Sequence, residues 1–130
     1  MNIRNSGAMR VAASITLLDV IVASGFSIAG LVRPDLIAPV DAAPNGASAV
    51  FAMYAAARTL PLAGAVILAI IYESTAALLV LGALAGVVQC VDAIVGILLG
   101  DLGKTVGPLV LAGLQALALF RLRKSTRSTP

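Results

Sequence analysis

The chain has almost none of the side chains on which most catalytic and metal sites depend. Its 130 residues include one cysteine and no histidine or tryptophan, and only 4% are aromatic. A single cysteine cannot close a disulfide within the chain, and without histidine the mixed Cys/His zinc sites are excluded. No nucleophile with a neighbouring base and no phosphate-binding loop is evident either. The sequence therefore predicts architecture more readily than activity, with no metal and no cofactor.

Charge is also scarce, which places the chain in a membrane. Only 12% of its residues are charged and 60% are hydrophobic, and its mean hydropathy of +1.05 is outside the range of ordinary soluble domains. The net charge of +3 comes mainly from basic residues at the two ends, beside apolar runs. This pattern indicates membrane topology and not a nucleic-acid interface. We predict a multi-pass protein of the cytoplasmic (inner) membrane, with both termini in the cytoplasm.

Four apolar runs are each long enough to approach or cross the hydrocarbon core, which takes about 20 residues. The first carries Asp19 at its centre and is longer than the apolar part of a signal peptide, so we expect it to be retained. The predicted fold class is all-α, an integral membrane antiparallel bundle of four transmembrane helices in one domain, 1–130. Its parts are spans 9–32, 50–72, 75–100 and 105–120, a loop at 33–48 and a basic cytoplasmic tail at 121–130.

The second span contains Arg58, whose charge costs roughly 2.5 kcal/mol or more near mid-bilayer and normally finds a partner. Counting at 1.5 Å per residue places Arg58 and Asp92 both roughly 10 to 12 Å below the outer surface. Asp19 and Gln115 lie about one turn deeper. We therefore predict a buried polar cluster, which opens toward the extracellular side and serves either to fix helix register or to bind a ligand or proton. Its seven members are Thr16, Asp19, Tyr54, Arg58, Gln89, Asp92 and Gln115.

A stripe of small residues runs along the third span. Glycines recur there at spacings that place them on one helix face, where another backbone can approach closely. Packing within the bundle is the expected use, with homodimerisation as the alternative. The predicted helix-packing glycines are Gly82, Gly86, Gly96 and Gly100.

Several short segments resemble a family of small bacterial membrane proteins. They are Pro34 with the LIAPVDAAP segment, Ala57-Arg58 with Gly64, Val91-Asp92-Ala93, and the Gly-Pro pair of the fourth span. Together, across residues 11–122, they resemble the four-span proteins called domain of unknown function 4267, which are similar in layout to DoxX-like proteins. The resemblance implies a four-helix membrane bundle and no established activity. The chain departs from that family at Thr59, where an acidic residue is expected, and in lacking a histidine near the start of the last span.

Three functions remain open from the sequence. The first is a small integral membrane protein whose Arg/Asp cluster forms an outward-facing polar pocket. The second is a proton-coupled small-molecule transporter that uses Asp19. The third is a membrane enzyme that acts on a hydrophobic metabolite through paired carboxylates; the sequence favours a non-enzyme. Expected partners are the lipid bilayer, a small polar or amphiphilic ligand and a second copy of the chain, but no nucleic acid.

Overall fold

The computed structural model describes residues 3–34 and 46–127, with side chains from residue 7 onward. Its four α-helices are α1 (Ile3–Val32), α2 (Gly46–Ile71), α3 (Thr75–Leu98) and α4 (Leu102–Arg127). Each is long and apolar enough to cross a membrane, and they pack antiparallel, which confirms the predicted fold class. Such helices suit lipid because every backbone donor away from the ends is satisfied within the helix. Most of the predicted loop, at 35–45, lies outside the described residues.

The helix ends differ from the predicted spans, most clearly in α4. We predicted an apolar span that stops at Phe120 and a tail beyond it, whereas α4 continues to Arg127. The reason is Leu122, which is 1% exposed and packs with Ala12, Leu78 and Ala118. This apolar contact stabilises the helical conformation beyond Arg121, the first basic residue after the predicted span. The basic groups of this end are therefore held on a packed helix.

Both short turns use the same capping geometry, in which a residue in the left-handed region closes the helix. At the end of α3, Gly100 has a φ of 65°, its N–H donates to the Ile97 carbonyl at 3.0 Å, and the Asp101 N–H donates to the Gly96 carbonyl at 3.0 Å. Glu73 plays the same part after α2 with a φ of 48°, which is unusual for a residue other than glycine. Ser74 then caps α3, because its hydroxyl accepts from the Ala77 N–H.

The helices form two closely packed pairs, α1 with α2 and α3 with α4, which meet mainly through α1 against α4. Within the described residues, α2 and α4 do not contact each other. One buried core joins α1, α3 and α4 near the chain termini, and a second joins α1, α2 and α3 around Val20, Val66 and Ala85. The bundle is therefore tightly closed at the end that holds the termini and more open at the other.

Three of the four predicted packing glycines lie where α4 approaches α3. A Cβ on Gly96 would come within 2.6 Å of the Thr105 backbone nitrogen, and one on Gly86 within 3.3 Å of Gln115 Cγ. A Cβ on Gly82 would come within 2.9 Å of Leu119 Cδ2. Gly100 differs, because nothing lies within 4 Å of its Cβ position; the turn requires it for its backbone conformation instead.

Candidate functional site

One of two buried polar contacts in the described part of the bundle joins Asp19 of α1 to Gln89 of α3. Asp19 is 2% exposed and Gln89 is 4% exposed. The Gln89 side-chain amide donates to Asp19 Oδ1. The other carboxyl oxygen, Oδ2, is buried and has no hydrogen-bond partner among the described residues. Buried carboxyl oxygens are seldom left without a donor, because the lost hydration is not replaced. Asp19 Oδ2 is therefore the group that most needs an explanation.

One turn away from Asp19, a second polar contact joins α1 to α4. Gln115 Nε2 donates to Thr16 Oγ1 at 2.7 Å, and both side chains are fully buried. Gln115 Oε1, like Asp19 Oδ2, has no partner in the described part of the chain. These two contacts bring four of the seven predicted residues into the interior and tie α1 to both members of the α3–α4 pair.

A large cavity lies between the two helix pairs, where α2 and α4 stand apart. Its volume is about 1010 Å³, at the upper end of the range for pockets that hold drug-sized ligands, roughly 300–1,000 Å³. The wall is mostly apolar, with Phe26, Leu62 and Leu111 from three different helices. Its polar residues include Asp19 of α1 and Gln89 of α3. It extends to the turn between α3 and α4, so it reaches the end of the bundle opposite the chain termini.

The other three predicted members of the cluster are not buried. Arg58 and Asp92 are exposed on the wall of the cavity. They interact electrostatically, but no direct ion pair forms between them in the described residues. Tyr54 is 66% exposed and lies outside the cavity wall. The physical reason is the gap between α2 and α4, which leaves open space around Arg58 and Asp92 on the cavity wall.

Polar contacts near the mouth of the cavity were not part of the predicted cluster. The Thr59 hydroxyl donates to Ser27 Oγ at 3.0 Å, which joins α2 to α1. Asp101 and Lys104 pair at 3.2 Å at the start of α4. The Lys104 backbone N–H, and then its side chain, donate to the Asp101 carboxylate and lower the pKa of that carboxyl below its ordinary value. An Asp three residues before a Lys at a helix start was the available signal, since such an Asp can cap the helix.

With this geometry in view, the protein is a small four-span membrane protein. Comparison of the chain with protein families, curated proteins and solved structures gave no match in any of the three. The resemblance to the four-span family of unknown function stays a prediction.

The chemistry available in the cavity is that of charge and hydrogen bonding. Among the described residues, three carboxyls and two cationic groups line it, together with amide and hydroxyl groups. Among the described residues, no three potential metal-ligating side chains come together, and Cys90 is exposed outside the cavity wall. The arrangement can orient a small molecule that has an apolar body and a polar end.

Proposed function

We propose that this four-span membrane protein binds a small amphiphilic molecule in the cavity between its helix pairs. The observation that carries the proposal is Asp19 Oδ2, a buried carboxyl oxygen without a partner among the described residues, on a residue that lines a mostly apolar cavity of about 1010 Å³. Ligand pockets combine apolar walls with a few well-placed polar groups. An unused acceptor at the inner end of such a pocket is a natural place for the polar end of a ligand.

Two charged residues of the cavity wall support the same function. Arg58 and Asp92 lie on the wall without a tight mutual pair, so they can contact the polar end of an entering molecule. The basic residues at the chain termini favour a cytoplasmic location for that end of the bundle. In our proposal the cavity therefore opens on the extracellular side of the cytoplasmic membrane.

A glycine in the cavity wall allows a direct test. Gly107 lines the cavity, and a Cβ there would meet nothing within 4 Å. Gly107→Trp should therefore fill the cavity without a backbone clash. Gly113→Trp is the matched control, because Gly113 lies on the same helix with equal space but outside the cavity wall.

The binding probes are three rigid molecules that share an adamantyl body: 1-adamantylmethylamine, 1-adamantanemethanol and 1-adamantanecarboxylate. Titration calorimetry on protein in lipid nanodiscs, with empty nanodiscs subtracted, should show saturable binding of at least one probe. Gly107→Trp should weaken that binding at least tenfold, and Gly113→Trp should leave it unchanged. Absence of binding by all three probes, or equal binding to the Gly107→Trp variant, would overturn the proposed function.

The burial of Asp19 beside the cavity also favours a second candidate, proton-coupled transport. An intramembrane carboxyl that can exchange a proton for a bound molecule is a common device in transporters. In proteoliposomes, Asp19→Asn should then abolish proton-driven movement of the probe while the protein stays folded. Equal transport by that variant would exclude the mechanism. The described residues give the membrane-enzyme alternative no comparable observation.

A further inference from the structure

We infer that the ligand of this cavity is a lipophilic monocation that carries at least one N–H, which donates to Asp19 Oδ2. The inference rests on the proposed function and goes further by naming the class of ligand. Three observations lead to it: the hydrogen-bond state of Asp19, the charges in the cavity wall, and the shortage of aromatic side chains there.

With Asp19 ionised, the hydrogen bonds around it leave a place for a donor at Oδ2. Gln89 already donates to Oδ1, while Oδ2 has no donor among the described residues. A carboxylate oxygen accepts hydrogen bonds, and an ammonium group provides a short, charge-assisted one. An alcohol provides a weaker one, and a carboxylate ligand would be repelled. The group that best completes this site is therefore a protonated amine.

The charged groups of the cavity wall indicate a single positive charge on the ligand. Asp101 and Lys104 pair with each other at the mouth. Farther in, Asp19 and Asp92 share the wall with one cation, Arg58. With these groups ionised, the described residues of the inner wall have one negative charge in excess. A monocation neutralises that excess, and in an environment of low dielectric this complementarity is worth more than in water.

The apolar part of the wall determines how the cation is held. Of the described residues that line the cavity, Phe26 alone has an aromatic side chain. Quaternary ammonium groups are usually held in cages of several aromatic rings, by cation–π attraction. This cavity offers aliphatic residues instead, such as Leu62, Val88 and Leu111. A quaternary ammonium, which has no N–H, should therefore bind poorly compared with a primary amine.

The test uses the same adamantyl probes and adds the trimethylammonium analogue of the amine. Wild-type protein in nanodiscs should bind 1-adamantylmethylamine at least tenfold more tightly than the alcohol, the carboxylate or the quaternary analogue. Asp19→Asn should lose the preference for the amine over the alcohol. Glu73→Gln is the matched control, because it removes the same charge from an exposed residue in the turn between α2 and α3, outside the cavity wall; it should keep the full preference.

The outcomes separate this inference from the proposed function. If the cavity binds the probes but the alcohol or the quaternary analogue binds as tightly as the amine, the ligand class is wrong and the binding function stands. If the Asp19→Asn variant still prefers the amine over the alcohol, the ligand class is likewise wrong and the binding function stands. Binding of the alcohol to Asp19→Asn shows that the variant is folded. If the Asp19→Asn variant does not fold, the ligand class is tested by comparing the binding of the amine and of its quaternary analogue to wild-type protein.

Discussion

The approach of α4 to α3 at Gly96 leads to a quantitative prediction for Gly96→Ala. The new Cβ would lie 2.6 Å from the Thr105 nitrogen and closer still to the Lys104 carbonyl group. These atoms belong to backbone, so they cannot turn aside as the end of a flexible side chain can. Overpacking of this kind typically costs about 1–3 kcal/mol. Against it stands the better helix propensity of alanine, about 0.8–1 kcal/mol relative to glycine.

A second glycine-to-alanine variant serves as a control for the gain in helix propensity. Gly113 is also helical, and its Cβ would meet nothing within 4 Å, so Gly113→Ala gains the same propensity at no steric cost. The difference in unfolding free energy between the two variants then isolates the overpacking, and we expect Gly96→Ala to be less stable by about 1–3 kcal/mol. Gly86→Ala, where the nearest atom is a side-chain carbon at 3.3 Å, should lie between them.

Reversible unfolding in mixed micelles, followed by helical circular dichroism as denaturing detergent is increased, measures these free energies. The same Gly96→Ala protein should also bind the adamantyl probes more weakly, because a displaced α4 moves the mouth of the cavity. Equal stability of Gly96→Ala and Gly113→Ala would show that α3 and α4 do not approach as described, and it would remove the basis for the wall that α4 contributes.

Three further predictions concern other parts of the molecule. Thr16→Val should cost about 1–3 kcal/mol because it strands the buried Gln115 amide, and adding Gln115→Leu should recover part of the loss in a double-mutant cycle of unfolding free energies; additive losses would contradict the contact. Because the Asp101 pKa is lowered, its carboxylate stabilises the first turn of α4 fully at pH values above 3.8, the ordinary pKa of an aspartate. This stabilisation is lost as the pH falls through the lowered pKa. Amide exchange there, corrected for intrinsic rates, should accelerate at acid pH in the wild type and show no such pH dependence in Asp101→Asn. In a background without the native cysteine, a membrane-impermeant thiol reagent outside cells should label Leu102→Cys but not Tyr72→Cys, which are similarly exposed at 79% and 76%; the reverse pattern would invert the proposed topology.

The inward face of α1 could be predicted from spacing alone. Small and polar residues recur there at helical intervals, and Thr16, Asp19 and Ser27 are indeed buried. In lipid, an apolar side chain gains no hydrophobic free energy by facing another helix instead of the lipid tails. The residues that turn inward are therefore the polar ones and those small enough for close packing. Gln115 was predicted by counting depth along its span instead, and it too is buried.

The position of Arg58 could not be predicted in the same way. Counting residues placed it at the depth of Asp92, and both line one cavity, yet the expected tight pair does not form in the described residues. Depth follows from the rise per residue, which is a property of one helix. Whether a side chain contacts a partner also depends on the distance between helices, which the sequence of one span does not determine.

The sequence by itself determined that the chain crosses the membrane four times, where two of its turns occur, and which faces of α1 and α3 lie inside. These follow from local properties: backbone hydrogen bonding, the length of apolar runs and the spacing of small and polar residues. Only the tertiary structure decided that α2 and α4 stand apart and that the space between them is a cavity. It also decided that Asp19, which lines this cavity, keeps a buried carboxyl oxygen without a partner among the described residues. That gap depends on how the side-chain volumes of all four helices fit together at once, which is why it cannot be derived from one span at a time.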